Sequence, residues 1–201
     1  MKRLSDPDKI AGLFNEGAVM IFPTDTVAGL GCRFDSEEGV NRIRELKGVG
    51  SSSPLAVLIS SIDDLNELQI RKSRIFKCLV GKLWPGGLTV VLSSENKHLC
   101  CGKGNTLGLR MPDAALMRTI INKAGAPIAA TSANIHGGPP PARIEDVKSE
   151  IIEKVDYVAD IPVKGIGFPS TVVRLEAGNV RIIREGVVSS DEIFSALKED
   201  Q

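Results

Sequence analysis

Short apolar runs, each stopped by glycine, proline or a polar loop and separated by segments of helical periodicity, constrain this chain most. Ala18–Phe22, Leu55–Ile59 and Ala126–Ala130 carry no charged or hydroxyl residue, and Leu88–Leu92 and Leu107–Met111 each carry a single polar one, Thr89 and Arg110. Runs of this length without polar alternation suit strands covered on both faces. Between them, Ser5–Glu16, with Ile10, Leu13 and Phe14, and the segment from Ser36 to Lys47, with Val40, Ile43 and Leu46, have helical spacing and acidic first turns. Further helices are predicted over Ser61–Leu68, Arg71–Leu83, Ala114–Ala124 and Ile144–Lys154, with a last one opened by Ser189 and Glu192 as a capping box. Strands at Tyr157-Val158 and Ser170–Leu175 follow, the latter hairpinned through Glu176-Ala177-Gly178-Asn179 to Val180–Ile183. Strand and helix alternate without a repeat or a linker, so the expectation is one α/β domain over residues 1–201 around a mixed sheet flanked by helices.

Composition narrows the function classes. Twenty-five Lys and Arg offset 25 Asp and Glu over 201 residues, which argues against a surface that grips nucleic acid by bulk charge. Aromatic residues make up only 4%, too few for a base-stacking platform, and the core must come from Val, Ile, Leu and Ala. Cys32, Cys78, Cys100 and Cys101 form no CxxC pair, so buried, inert thiols in a reducing compartment are expected. Charged or polar residues interrupt every apolar run before it reaches membrane-spanning length, and the first residues lack a signal peptide's apolar segment. The expected location is cytoplasmic, with no membrane partner.

Two apolar runs empty into loops of hydroxyl residues: Phe22 into Pro23-Thr24-Asp25-Thr26, and Ala130 into Thr131-Ser132-Ala133-Asn134. A third such loop, Gly50-Ser51-Ser52-Ser53, precedes its strand. In α/β sheets ligands bind where such loops converge at strand ends, and hydroxyls with open backbone N–H groups suit phosphate or carboxylate oxygens. Turn formation and helix capping explain any one of these loops equally well. Arg110, inside an apolar strand, demands an anionic partner, either a substrate or an internal Asp or Glu. Lys47 ends a helix beside a glycine-serine loop, and Arg184 closes the final hairpin.

No Walker A loop, HExxH, GxSxG elbow or strand-borne GxGxxG is present, and His98 and His136 lie in polar or glycine-rich surroundings. Catalysis by positioning and charge neutralisation remains, the mode suited to a nucleotide phosphate substrate.

These residues have a recognisable order. Ile21-Phe22-Pro23-Thr24-Asp25-Thr26-Val27-Ala28-Gly29-Leu30-Gly31 resembles the N-terminal signature of the YrdC/TsaC family, the threonylcarbamoyl-AMP synthases. Leu46-Lys47 leading to Pro54-Leu55, Leu83–Thr89, Leu109–Pro112, Ala130–Asn134, Pro169–Val172 and Ile183–Gly186 follow in the family's order, so the resemblance spans about Ala18 to Gly186. It implies the YrdC-like (DHBP synthase-like) fold, a twisted mixed parallel and antiparallel sheet around a large, positively charged central cavity. It also implies a reaction in which L-threonine, bicarbonate and ATP give L-threonylcarbamoyladenylate and pyrophosphate, the first step toward N6-threonylcarbamoyladenosine in tRNA. A separate tRNA threonylcarbamoyl transferase would take the product onward, so this chain need bind double-stranded RNA weakly or not at all.

Carried over position by position, the resemblance assigns Lys47, Ser132 and Asn134 to the nucleotide phosphates and the chemistry, and Arg184 to the nucleotide. Arg110 would hold the threonine carboxylate, with Thr24, Thr26 and Ser170 completing that pocket. Magnesium would accompany ATP, with no dedicated metal site. The chain departs from the family pattern at Val49, where an arginine is usual, at Ala28, where an aromatic is usual, and at His136, where a serine is usual. Either a nearby cation such as Arg44 compensates for Val49, or activity is altered. The alternatives are a non-catalytic nucleotide- or RNA-binding paralogue and a relative that forms carbamoyl-adenylate.

Overall fold

The computed structural model describes residues 2–176 and 178–198. In chain order the elements are β1 (Lys2–Leu4), α1 (Pro7–Asn15), β2 (Met20–Phe22), β3 (Gly29–Arg33), α2 (Glu37–Lys47), β4 (Ala56–Leu58), α3 (Asp64–Glu67), α4 (Arg74–Leu83), β5 (Leu88–Ser93), β6 (Thr106–Arg110), α5 (Ala115–Lys123), β7 (Ile128–Ser132), α6 (Ser149–Ile152), β8 (Tyr157–Ala159), β9 (Thr171–Glu176), β10 (Asn179–Arg184) and α7 (Ser190–Lys198). The strands form one ten-stranded sheet in the order β1-β8-β2-β3-β7-β4-β6-β5-β9-β10. It is mixed: β4 and β6 run parallel, as do β5 and β9, whereas β3–β7 and β5–β6 are antiparallel.

Strand periodicity divides the apolar residues between two cores. Ile21, Val57 and Ala129 join Val40 and Ile43 of α2, Leu79 of α4 and Ile193 of α7 on one face. Their neighbours Phe22, Leu58 and Ile128 join Phe14 of α1 and Met117 and Ile120 of α5 on the other. Both faces are covered, which is why these runs read as continuously apolar.

Helix boundaries follow local chemistry. Asp6, with Pro7 at the first helical position, caps α1 by accepting from the Asp8 and Lys9 amides. Ser36 caps α2, and Gly48 ends it in the left-handed conformation (φ 67°). Ser189 and Glu192 form the expected capping box of α7.

Several elements differ from the sequence expectation; the helix expected over Ser61–Leu68 is helical only at Asp64–Glu67. Gly29-Leu30-Gly31, expected as loop, is strand β3, with Gly29 directly opposite Phe22. A Cβ at Gly29 would stand 2.7 Å from the Phe22 ring, and one at Gly31 would stand 2.5 Å from the Ala129 carbonyl oxygen. The glycines here allow close strand packing and do not make a turn. The run at Ala126–Ala130 becomes ladder only from Ile128, because Pro127 has no N–H to give; the strand continues through Thr131 to Ser132, which pair with Leu30 and Gly29 of β3. The helix expected over Ile144–Lys154 is a 3₁₀ turn, Ile144–Asp146, and then α6, separated by extended backbone at Val147 and Lys148. Strand β1, in the first residues, pairs parallel with β8 and has no apolar run to announce it. The hairpin of β9 and β10 forms as expected, with Asn179 opposite Glu176; Ala177 at its turn lies outside the described residues.

Candidate functional site

A cavity of about 550 Å³ lies against the sheet face shared by Phe22, Leu58 and Ala130. Ala56, Ala130 and Gly29 leave room there that larger side chains would fill. The site therefore combines a sheet face with the loops beyond the strand ends, where the sequence had placed it. Thr24, Thr26, Lys47, Arg110, Ser132, Asn134, Ser170 and Arg184, drawn from sequence segments more than 150 residues apart, all line it.

At one end stands Lys47, the last residue of α2, which turns its ammonium into the cavity. Nζ donates to the Ser132 carbonyl oxygen at 2.7 Å and to Asn134 Oδ1 at 3.1 Å. Ser132 Oγ donates to the same Asn134 oxygen, while Asn134 Nδ2 donates to the Gly138 carbonyl at 2.6 Å and so holds the glycine-proline loop in place. None of these acceptors is charged. Burial brings the Lys47 pKa down from 10.5 to about 8, because nothing anionic offsets the lost hydration. His136, whose backbone N–H donates to the Lys47 carbonyl at 3.1 Å, also lines this end.

Arg110, at the end of β6, is 6% exposed and forms the other end. Its Nε donates to the Gly86 carbonyl at 3.0 Å, Nη1 to Thr26 Oγ1 at 2.7 Å and Nη2 to Asp25 Oδ1 at 2.7 Å. A guanidinium has five N–H groups, so one remains on each Nη, a pair matched to the two oxygens of a carboxylate. Burial lowers the Arg110 pKa, with Asp25 opposing the effect and Arg184 adding to it; at neutral pH the group keeps its charge.

Thr24 fixes the loop that carries Asp25 and Thr26. Its Oγ1 donates to the Val27 carbonyl at 2.7 Å and accepts from the Thr26 and Val27 amides. Beside it, Arg184 Nη2 donates to the Ser170 carbonyl at 2.7 Å and to Ser170 Oγ at 3.2 Å. Ser170 Oγ also meets Thr89 Oγ1 at 2.8 Å. A further strap passes over the Thr24–Val27 loop, with the Ile166 and Gly167 amides donating to the Asp25 and Thr26 carbonyls.

Three cations thus face one cavity whose described lining contains no Asp or Glu. Such a site attracts anions and aligns them by directed N–H and O–H groups. Among the described residues no group of three or more His, Cys, Asp or Glu comes together, so the donor set does not fit a resident divalent ion.

Sequence reasoning missed Asp25, Thr89 and His136 as parts of this site. Asp25 is the internal partner that a buried arginine requires, and Thr89 was legible by the same signal as Arg110, a polar residue in an apolar strand. Arg44 does not compensate for Val49: it is buried and donates to the Ser53 and Leu99 carbonyls at 3.0 and 2.6 Å, outside the cavity lining. Of the cysteines, Cys32 and Cys100 are buried, and burial pushes both thiols up to about 12, as inert thiols require.

The family model for Sua5, YciO and YrdC, described as telomere recombination, matches residues 12–186. The chain belongs to this family. Its relatives within the family include a threonylcarbamoyl-AMP synthase of Bacillus subtilis, 34% identical over 199 residues, covering 96% of this chain and 57% of that protein. A threonylcarbamoyl-AMP synthase of Pyrococcus abyssi is 34% identical over 191 residues, covering 94% of this chain and 56% of that protein. Among solved structures, P. abyssi Sua5 complexed with L-threonine superposes with a TM-score of 0.88 at 33% identity, over 98% of this chain and 60% of that one. The chain therefore spans a little under three-fifths of the length of these curated relatives. The mixed sheet flanked by helices is the family fold. Among the described residues no helix is long and apolar enough to cross a membrane.

Proposed function

We propose that this chain carries the active site of an L-threonylcarbamoyladenylate synthase, which joins L-threonine, bicarbonate and ATP and releases pyrophosphate. The observation that carries the reading is the convergence of Lys47, Arg110 and Arg184 on one cavity without a lining carboxylate. Such a cavity suits two anionic substrates that would otherwise repel each other. Family membership and the name shared by the relatives support it.

In this reading the two open Arg110 N–H groups take the threonine carboxylate, and Thr24, Thr26 and Ser170 shape its pocket. The threonine amine attacks the carbon of bicarbonate, forming the N–C bond of a carbamate; the C–OH bond breaks and its hydroxide leaves with the amine proton as water. A carbamate oxygen then attacks the α-phosphorus of ATP, and the bond to the β-phosphate oxygen breaks. Lys47 lowers the repulsion between carbamate and phosphate, Ser132 and Asn134 orient the phosphates, and Arg184 lies toward the nucleotide. Any magnesium would come with ATP, where it would offset phosphate charge, since the described lining offers it no carboxylate. The adenylate then passes to a tRNA threonylcarbamoyl transferase, which leaves this chain with little need to hold RNA.

Labelled ATP and the pure protein test the proposal through pyrophosphate release. Release is expected only when threonine and bicarbonate are both present; release indifferent to omitting either overturns it. Release that instead follows carbamoyl phosphate assigns the chain to carbamoyl-adenylate formation. A second reading, a nucleotide-binding paralogue without turnover, is favoured by one observation: neither Val49 nor Arg44 is among the described residues that line the cavity, so no cation there stands in for the family's arginine. ATP binding without any turnover would select it.

A further inference from the structure

Resting on the synthase reading, we infer that the His136 imidazole donates a hydrogen bond to the β- or γ-phosphate of ATP, the part that leaves as pyrophosphate. The segment 135–140 follows Asn134 and contributes His136, Gly137, Gly138 and Pro140 to the cavity lining. The His136 N–H donates to the Lys47 carbonyl at 3.1 Å, one of the last carbonyls of α2, which have no donor within the helix. Lys47 therefore fixes the His136 backbone with its carbonyl and enters the cavity with its ammonium. Asn134 Nδ2 clasps the same turn by donating to the Ile135 and Gly138 carbonyls at 2.9 and 2.6 Å. Gly137 takes the left-handed conformation (φ 81°) within it. The backbone that bears the imidazole is thus held by two residues that the synthase reading assigns to the phosphates.

The side chain itself is uncommitted. His136 makes no side-chain hydrogen bond or ion pair among the described residues, and the described lining holds no Asp or Glu to claim its N–H. In either neutral tautomer, and when protonated, an imidazole carries at least one N–H donor. Phosphate oxygens only accept at neutral pH, so the two match.

Depth decides which phosphate. Lys47 is 6% exposed and His136 is exposed, so the imidazole lies on the solvent side of the ammonium. The α-phosphorus must meet the carbamate inside the cavity, between Lys47 and Arg110, and the β- and γ-phosphates extend away from that point. A donor at the rim beside Lys47 meets them. Negative charge builds on this part of ATP as its bond to the α-phosphorus breaks, and a donor braced beforehand needs no rearrangement to receive it.

Calorimetric titration with inorganic pyrophosphate, ATP and AMP tests the contact in the parent and in three variants. His136→Ala removes the donor, His136→Gln places an N–H near the position of Nε2, and His136→Asn places one near that of Nδ1. Each is expected to fold, because His136 is exposed and outside both cores, and thermal unfolding checks this. Loss of a hydrogen bond to a charged group weakens binding on the order of tenfold or more. His136→Ala is expected to weaken pyrophosphate and ATP by this factor and to leave AMP unchanged, with either His136→Gln or His136→Asn recovering most of the loss. Equal pyrophosphate affinity in the parent and His136→Ala overturns the inference. So does a loss that AMP shares in full, which marks a displaced loop, or one that neither amide variant repairs. These titrations need no turnover. Pyrophosphate release indifferent to threonine and bicarbonate overturns the synthase reading, and the titrations still decide whether His136 holds the terminal phosphates. A parent that binds neither ATP nor pyrophosphate overturns both.

Discussion

Asp25 Oδ1 lies 2.7 Å from Arg110 Nη2, and both side chains are mostly buried, at 16% and 7% exposed. The pair neutralises the arginine while leaving one N–H on each Nη without a partner among the described residues. Removing the carboxylate strands a buried charge, so Asp25→Ala is expected to destabilise the fold by about 3–5 kcal/mol. Chemical denaturation measures this. Asp25→Asn keeps an oxygen acceptor and should lose less. A midpoint unchanged in Asp25→Ala would show that solvent already neutralises Arg110.

Lys47 makes nucleotide affinity depend on pH. Its folded pKa, about 8, is below its ordinary 10.5, so below pH 8 the ammonium is charged in both folded and unfolded chains. Its burial cost is then felt in full. Between about 8 and 10.5 the unfolded chain binds more protons, and stability rises with pH. Binding runs the other way, because phosphate needs the charged form. ATP affinity should fall as pH rises through about 8, and calorimetric titration of Lys47→Met should show a weaker affinity without that step.

Gly186 lets the segment after β10 pass against Ser170. A Cβ there would overlap the Pro169 carbonyl oxygen and stand 2.6 Å from the Ser170 carbonyl carbon. Both are backbone atoms, so the chain must shift. Gly186→Ala should cost about 1–3 kcal/mol of stability as an overpacked site. Displacing Ser170 by about an ångström should also lower turnover on the order of 10²-fold, a loss visible in pyrophosphate release from folded protein.

Val49 follows the helix cap and is half-buried, two residues from the Lys47 ammonium that enters the cavity. Val49→Arg adds a cation near the phosphate end, and one charge-assisted hydrogen bond is worth about 1.5–3 kcal/mol. ATP affinity is expected to rise about tenfold or more. A parent that binds ATP without turnover and a variant that turns over would select the paralogue reading.

How far the sequence reached depended on the range of the interaction. Continuous apolar runs, capping residues and the left-handed glycine after Lys47 are written locally, and they announced most strands and helices. The same logic marked Arg110, since an arginine in an apolar strand needs an anion whatever the fold. Ser132, Asn134 and Lys47 were legible only through their resemblance to a family pattern, because each is an ordinary capping or turn residue in isolation.

Long-range contacts decided the rest. Gly29-Leu30-Gly31 reads locally as a loop and becomes strand because it pairs with β2 on one side and β7 on the other, and the glycines leave space for Phe22 and Ala129. Arg44 and Lys47 are both cations on the last turn of one helix; the packing of Ser53 and Leu99 turns one toward carbonyls, while Ser132 draws the other into the cavity. The sequence alone determined the alternation of buried strands with amphipathic helices and the presence of a cation that requires an anion. Only the tertiary structure decided which hydroxyls share a proton and which charges face the same space, because hydrogen bonding and desolvation depend on distances between residues far apart in the chain.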